Sequence, residues 1–135
     1  MAAEKQFENK VKRYLESNGI YAFGTPIQKI TISPVGYYEK RWGGGQFAKS
    51  GLPDLHIVVR GRSMECELKA PNGKPSALQL KNINLINTSG GVGMILVEDS
   101  ATVNRIKRYI FMNYPLFKDV PVVDFDEFQK ILNVF

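Results

Sequence analysis

Residues 54–70 read DLHIVVRGRSMECELKA, and their alternation of apolar and polar side chains is the strongest structural signal in the chain. Two alternating runs flank Gly61-Arg62, which is the pattern of a β-hairpin with a two-residue turn. A slip by one residue would place polar side chains opposite apolar ones, so the pattern restricts the pairing. The predicted apolar pairs are Leu55 with Leu68, Ile57 with Cys66, and Val59 with Met64.

Charged side chains line the opposite face of this predicted hairpin. The same register places Asp54 beside Lys69 and His56 beside Glu67. Asp54 and Glu67 then become diagonal neighbours on adjacent strands, within reach of a shared ion. Glu65 lies one pair nearer the turn, where we expect it to be solvated. The sequence therefore predicts two carboxylates and a lysine on one face of adjacent strands.

The chain before the hairpin predicts one helix followed by irregular structure. Apolar residues at helical spacing indicate an amphipathic helix over residues 3–18. Short strands are expected over residues 20–23 and 27–32, where glycine and proline interrupt the pattern. Residues 35–50 mix aromatic, basic and glycine residues without a helical or strand period. We expect this last segment to be a loop.

A helix and a buried strand are predicted directly after the hairpin. Pro75-Ser76 has the composition of a helix start, and Ser89-Gly90-Gly91 has that of a helix end. The mostly apolar run over residues 92–97 is typical of a buried strand. A helix that joins two strands in this way crosses over between them in one sheet.

The C-terminal part of the chain predicts two more helices and a short strand. Asp99 or Ser100 can cap a helix that reaches Asn113. A short strand is expected over residues 120–123, and the capping box Asp124–Glu127 opens the last helix. The complete order predicts an α/β fold, in which a mixed β-sheet carries the hairpin and is flanked by helices.

Length and composition fit a single domain over residues 1–135. The chain is 44% hydrophobic and 23% charged, close to the averages of soluble globular proteins, which argues against an intrinsically disordered or fibrous protein. Cys66 is the single cysteine, so no internal disulfide can form, and we expect it to be an inert core residue in a reducing compartment. The sequence contains no secretion signal and no apolar run of membrane-spanning length. We therefore expect a cytoplasmic protein with no membrane partner.

Positive charge is concentrated in the first third of the chain. The sequence has 18 Lys and Arg against 13 Asp and Glu, a net charge of +5, and eight of the basic residues lie within residues 1–50. A basic segment favours a polyanionic partner such as nucleic acid, because the neutralised phosphates release counterions. Many basic proteins bind no polyanion, so charge alone does not decide the function.

The acidic face of the hairpin indicates a divalent cation. Two neighbouring carboxylates repel one another unless a positive charge neutralises them, and hard oxygen ligands suit Mg²⁺ or Mn²⁺. Such a cation, with a lysine beside it, fits hydrolysis of a phosphodiester. The alternative is a solvent-facing hairpin with ordinary cross-strand salt bridges, such as one between Asp54 and Lys69.

The order of the motifs resembles that of known nucleases. Gly51-Leu52-Pro53-Asp54, followed after twelve residues by Glu67-Leu68-Lys69, resembles the PD-(D/E)xK motif of restriction-endonuclease-like enzymes. More closely, the chain is similar to the VRR-NUC family of virus-type replication and repair nucleases, especially the small stand-alone proteins that phages encode. The resemblance covers about residues 4–105 and includes Phe7-Glu8, the Ser76-x-x-Gln79 helix start and Gly90-Gly91.

The resemblance implies a role for each residue that matches the motif. Asp54 and Glu67 would be metal ligands, and the backbone carbonyl of Leu68 would complete the ligand set. Lys69 would act on the attacking water or on the transition state. The predicted register, and not the resemblance, places His56 beside Glu67, where it would support the site, although a lone strand histidine is more often a packing residue or a hydrogen-bond partner.

Two helical residues match the family pattern and have structural alternatives. Glu8 matches an acidic residue that supports the metal site in many of these nucleases, and Glu4 lies one turn earlier on the same face. Glu8 could instead form an exposed helix pair with Lys12. Gln79 matches a glutamine near the catalytic face, and it is also the fourth residue of a Ser76-x-x-Gln79 capping box.

Basic and aromatic residues around the motif are candidates for DNA contacts. Aromatic side chains between basic ones can stack on bases while the basic ones contact phosphates, and lysines beside the second helix can do the latter. A packed surface loop or an oligomer contact is the alternative. The candidates are Lys40, Arg41, Trp42, Lys49, Lys74 and Lys81.

The resemblance implies a Mg²⁺- or Mn²⁺-dependent deoxyribonuclease without an organic cofactor. By similarity to Holliday-junction resolvases, we expect a homodimer that cuts branched DNA. The alternatives are a DNA-binding module without catalysis, a flap or duplex nuclease that acts with a replication partner, and an oligomeric structural protein. Residues 100–135 lie largely outside the resemblance and are a candidate dimer interface through their apolar side chains, which are Phe111, Met112, Leu116, Phe117, Val134 and Phe135.

Overall fold

Helices and strands alternate along the part of the chain that the structure, a computed structural model, describes: residues 3–17, 35–40, 51–59 and 61–135. The strands predicted over residues 20–23 and 27–32 lie outside these ranges. The helices are α1 (Ala3–Ser17), α2 (Ala77–Thr88), α3 (Ser100–Asn113) and α4 (Phe125–Val134), with a short 3₁₀ helix at Pro115–Phe117. The strands are β1 (Val35–Lys40), β2 (Leu55–Val59), β3 (Arg62–Leu68), β4 (Gly93–Val97) and β5 (Val122–Asp124).

The strands form one mixed sheet in the order β1-β2-β3-β4-β5. The pairs β1–β2 and β2–β3 are antiparallel, whereas β3–β4 and β4–β5 are parallel. Parallel neighbours need a crossover connection, and α2 makes it between β3 and β4. The predicted α/β fold with a mixed sheet, a hairpin and a crossover helix is confirmed at this level.

Helices cover both faces of the sheet. On one face, α1 and α4 bury Phe7, Val11 and Phe128 against β2 and β3. On the other face, α2 and α3 pack against β4 and β5 through a second cluster that includes Ile83 and Ile106. Cys66 lies in the first cluster, and burial raises the pKa of its thiol, as expected for an inert core residue. None of the described helices combines the length and apolar character needed to cross a membrane.

The hairpin register differs from the predicted one by two residues. Leu55 pairs with Cys66 and Ile57 pairs with Met64, and Val59 pairs with Arg62 at the turn. Gly61 adopts a φ of +81° directly before Arg62, so it ends the turn and does not begin it. Alternation has a period of two, so a shift by two residues keeps every side chain on its predicted face. The predicted faces are therefore confirmed, and the predicted partners are wrong.

The prediction of a loop over residues 35–50 is wrong for its first part. Residues Val35–Lys40 form β1, which pairs with β2 along the length of that strand. The register shifts between Val35 and Tyr37, and such an irregularity disturbs the alternation by which a strand is recognised in a sequence. Pairing with the strong hairpin provides the backbone hydrogen bonds that the local sequence does not predict. Residues 41–50 lie outside the described ranges.

Helix starts follow the predicted capping residues. Ser76 caps α2 in a full capping box, Asp99 caps α3, and Asp124 caps α4 by accepting a hydrogen bond from the Glu127 backbone N–H. The Thr102 backbone and hydroxyl both donate to Asp99, and these hydrogen bonds lower the pKa of its carboxyl. These caps fix where α2, α3 and α4 begin, and the start of α2 positions the candidate site.

Candidate active site

Three chain segments meet at the open end of the β2–β3 hairpin and bring four predicted site residues together. Asp54 lies directly before β2, Glu67 lies near the end of β3, and Lys69 follows that strand. Gln79 lies in the first turn of α2. The Leu68 backbone N–H donates to Asp54 Oδ2 at 3.1 Å, so the Asp54 carboxylate is fastened to the end of β3. The predicted pairing of Asp54 with Lys69 is wrong, because the shifted register brings Asp54 to Glu67 and Leu68.

Glu67 has a buried carboxyl of which only one oxygen is paired within the described part of the chain. The residue is 3% exposed, and its Oε2 lies 3.0 Å from Gln79 Nε2 and 3.5 Å from Lys69 Nζ. Its other oxygen, Oε1, is buried and has no hydrogen-bond partner among the residues that the structure describes. Burial and the negative charge of Asp54 raise the pKa of Glu67 to about 8, against the opposing effect of Lys69. Burying an oxygen without a hydrogen-bond partner costs free energy, so a positive charge or a proton at this oxygen would stabilise the site.

This donor set fits a hard divalent cation. Mg²⁺ typically takes one or two carboxylates from the protein and retains several waters, and Asp54 and Glu67 supply two neighbouring carboxylates. The unpartnered Oε1 of Glu67 is the oxygen that a cation would satisfy. Among the described residues, no three His, Cys, Asp or Glu side chains come close enough together to hold a metal ion. Asp54 and Glu67 are therefore the side chains that could hold a cation here, and the Leu68 carbonyl remains a predicted third ligand.

Glu8 is not brought into a three-carboxylate group with Asp54 and Glu67 in the described structure. It is buried on α1, where its Oε2 lies 3.2 Å from Lys5 Nζ and 3.1 Å from Lys12 Nζ. The predicted pair with Lys12 is present, although Glu8 is buried and not exposed as that alternative assumed. Support of the metal site by Glu8 stays a prediction.

His56 lies on the same sheet face but has a different partner from the predicted one. The register places it opposite Glu65, and its Nδ1 lies 2.6 Å from Glu65 Oε2. The prediction that Glu65 is solvated is wrong, since it is half-buried and paired with His56. The prediction that His56 lies beside Glu67 is wrong for the same reason, which is the shift of the register by two residues.

Gln79 serves both of the roles that the sequence left open. Its side-chain Oε1 accepts a hydrogen bond from the Ser76 backbone N–H at 3.0 Å. The Gln79 backbone N–H donates to Ser76 Oγ at 3.1 Å. Its Nε2 donates to Glu67 Oε2. The amide has a separate acceptor and donor, so one side chain can close the capping box and orient the buried carboxyl.

The sequence did not point to Arg105 on α3. Its Nη2 donates to the Gly73 carbonyl at 2.9 Å, in the turn between Lys69 and α2. A Cβ added at Gly73 would lie 3.4 Å from Lys69 Cδ, so this turn lies beside the lysine stem. A basic residue whose partner is a backbone carbonyl leaves no motif, so no signal in the sequence indicated this contact.

The predicted DNA contacts are only partly described. Lys74 and Lys81 are exposed on the side of the molecule that carries α2, and Lys74 Nζ lies 5.4 Å from the centre of the Tyr109 ring. Lys40 is the last residue of β1. The other predicted contacts, Arg41, Trp42 and Lys49, lie outside the described residues.

The candidate dimer interface divides into exposed and packed side chains. Phe117 packs against the α2–α3 side of the sheet, and Phe135 packs against the other core and against the Arg62 guanidinium. The exposed apolar side chains of the predicted interface are Phe111, Met112, Leu116 and Val134.

Comparisons of the chain with models of known protein families, with curated proteins and with solved structures found no match. The chemistry of the site is therefore inferred from its own side chains. These are two adjacent carboxylates, one of them deeply buried, a lysine and an amide that orients the buried carboxyl.

Proposed function

We propose that this protein is a Mg²⁺- or Mn²⁺-dependent nuclease that hydrolyses phosphodiester bonds in DNA, with a restriction-endonuclease-like core. The observation that carries the proposal is the buried Glu67 carboxyl beside Asp54, with an unpartnered oxygen and a lysine 3.5 Å away. A purely structural hairpin gains nothing from a buried carboxyl oxygen without a partner, since such an oxygen costs free energy. The motif order in the sequence supports the same chemistry.

Each side chain of the site has a distinct proposed task. Asp54 and Glu67 would hold the cation, with the Leu68 carbonyl as a further oxygen. When bound, the cation supplies a Lewis acid that lowers the pKa of a coordinated water and neutralises phosphate charge. Gln79 fixes the orientation of Glu67 through its amide donor. Lys69 places a positive charge beside the reacting phosphate, where it stabilises the negative charge that develops in the transition state.

The proposed substrate is DNA, and the proposed assembly is a homodimer that cuts branched DNA. The net charge of +5 favours a polyanion, and Lys74 and Lys81 flank the start of α2, the helix that carries Gln79. A single small domain has little surface with which to surround DNA, and two copies related by symmetry would cut two strands. The exposed apolar side chains at the end of α3, Phe111 and Met112, are the proposed contact between copies.

Cleavage of labelled DNA tests the nuclease proposal. Four-way junction, 5′ flap and linear duplex are incubated with wild type, Lys69→Met or Lys130→Met, in Mg²⁺, in Mn²⁺ or in EDTA. Lys130 is an exposed lysine on α4, against the opposite sheet face, so its substitution is the matched control. We expect metal-dependent cleavage by wild type and Lys130→Met and loss of cleavage in Lys69→Met.

The substrate pattern separates the remaining alternatives. Paired, symmetric nicks in the four-way junction, made by a protein that sediments as a dimer, would support the resolvase proposal. Cleavage of flap or duplex alone would favour a nuclease that acts with a replication partner. DNA binding that is unchanged by metal, without cleavage of any substrate, would contradict the nuclease proposal and leave a binding module.

A further inference from the structure

A groove of about 310 Å³ lies beside the candidate site and has no role in the proposed hydrolysis. It is formed by the segment before β2, the β3 strand, the end of α2 and the segment that leads into β4. The residues that line it are Leu52, Ser63, Glu65, Ile86, Gly91 and Val92.

The groove is a direct neighbour of the two carboxylates. Glu65 precedes Glu67 by two residues on the same face of β3, and Leu52 precedes Asp54 by two residues. Two residues of a strand span about 7 Å, and successive nucleotides of one DNA strand rise by about 3.4 Å. A strand whose phosphate lies at Asp54 and Glu67 therefore places a nucleotide one or two positions away at the mouth of the groove.

The lining combines apolar walls with one carboxylate and one hydroxyl. Leu52, Ile86 and Val92 supply the walls, and Ser63 and Glu65 supply the polar groups. The Glu65 carboxylate is held in place by His56 at 2.6 Å. A carboxylate repels phosphate and accepts a hydrogen bond from an amino group, as carboxylates do with the N4 amino group of cytosine. The volume lies at the lower end of small-molecule sites, which suits one ring system and not a base pair.

We propose that this groove takes one unpaired nucleobase that carries an amino group, from a nucleotide next to the scissile phosphate. The inference rests on the proposed nuclease function and adds a reason for a preference for branched or bulged DNA. A base inside a duplex is stacked and paired, so only an unpaired base can enter. Cytosine, adenine and guanine each present an amino group to Glu65. The only ring donor of thymine is flanked by two carbonyls that repel a carboxylate.

Binding in Mg²⁺, measured at low temperature before cleavage proceeds, tests this inference with the cation in place. Fluorescence anisotropy compares three duplexes of equal length: fully paired, with one unpaired dC, and with one unpaired dT. We expect wild type to bind the dC bulge about tenfold more tightly than the paired duplex, and the dT bulge to lose most of that gain. Ser63→Phe fills the groove from an exposed strand position and should abolish the preference while binding to paired duplex persists.

The control substitution is Ser100→Phe, which places the same side chain at an exposed serine that starts α3 and does not line the groove. This variant should keep the wild-type preference. Equal binding of wild type to the dC bulge and the paired duplex, or a dC preference that survives in Ser63→Phe, would overturn the inference. The comparison of dC with dT uses the unchanged protein, so its result does not depend on how a variant folds. Cleavage without a bulge preference would refute only the proposal that the groove binds a nucleobase. A bulge preference without cleavage would refute only the proposed nuclease function.

Discussion

The side chain of Gln79 joins the start of α2 to the buried carboxyl of Glu67 through a hydrogen bond of 3.0 Å from Nε2 to Oε2. The same amide accepts from the Ser76 backbone through Oε1, so the helix cap holds the rotamer that reaches the site. The start of α2 and the orientation of Glu67 are therefore set together. Substitutions at Gln79 can separate the two roles, because only one of them needs an amide donor.

Replacing Gln79 by Glu should impair the site and preserve the helix cap. Glutamate still closes a capping box with Ser76, but it loses the donor to Glu67 and places a second carboxylate against it. We expect DNA cleavage to fall at least about tenfold, as is typical when a group that orients a metal ligand is lost. Ser76→Ala is the matched control, and it should cost about 1 kcal/mol of stability with little loss of rate. Equal cleavage by Gln79→Glu and wild type would show that the amide serves only the cap.

The raised pKa of Glu67 makes the stability of the metal-free protein depend on pH. The folded state keeps a proton on Glu67 up to about pH 8, whereas the unfolded chain releases it near 4.5. The free energy of unfolding should therefore fall as pH rises between these values and become flat above about pH 8. Urea denaturation in EDTA should show this decline, by roughly 1–4 kcal/mol, for wild type and its absence in Glu67→Gln. Identical pH profiles for the two proteins would contradict the prediction.

Metal binding near neutral pH should release a proton. A cation needs the carboxylate form of Glu67, which is mostly protonated below about pH 8 in the metal-free protein. Calorimetric titration with Mn²⁺ at about pH 7, in two buffers of different ionisation enthalpy, should give about one proton released per cation bound. Asp54→Asn should weaken binding. Heats that do not depend on the buffer would show that Glu67 is already ionised or takes no part.

Local signals predicted most of the elements that lie after residue 54. The caps at Ser76, Asp99 and Asp124 define helix starts by hydrogen bonds within a few residues, which a sequence displays directly. The hairpin faces were also predictable, since alternation assigns each side chain to one face. These two kinds of signal were enough to place Asp54, Glu67 and Lys69 on one side of adjacent strands.

The sequence could not predict side-chain contacts and strand pairs that depend on the hairpin register or on residues far apart in the chain. A shift of two residues leaves the alternation unchanged, so the sequence pattern could not predict the His56–Glu65 pair. That pair follows only from the position of Gly61 in the turn. The β1 strand depends on pairing with β2, and its irregularity near Val35 breaks the local period. The contact of Arg105 with the Gly73 backbone joins positions 32 residues apart and has no motif.

Lys74 should contribute one phosphate contact to DNA binding. It is exposed directly before Pro75 and the cap of α2, and its ammonium lies 5.4 Å from the centre of the Tyr109 ring. Lys74→Ala should weaken binding to all DNA sequences alike and reduce the slope of log affinity against log salt by about 1. Lys130→Ala, on the opposite face of the sheet, should leave the slope unchanged. Equal slopes for all three proteins would remove Lys74 from the proposed interface.

Arg105 should position Lys69 through the turn that lies between them. Its guanidinium donates to the Gly73 carbonyl at 2.9 Å, and Gly73 lies beside the Lys69 stem. Loss of this bond should free the turn and lower the stability by about 1–2 kcal/mol. We expect Arg105→Ala to lower the cleavage rate at saturating DNA several-fold, and Mn²⁺ affinity to stay unchanged because Asp54 and Glu67 are not touched.

Two further variants show whether the effect of Arg105 passes through the turn. Arg105→Lys can still donate to the Gly73 carbonyl and should recover part of the rate. Arg108→Ala removes an exposed arginine from the same helix and should behave as wild type. A merely structural role would lower stability and leave the rate of the folded fraction intact. A wild-type cleavage rate in folded Arg105→Ala would therefore show that Lys69 is positioned without the help of α3.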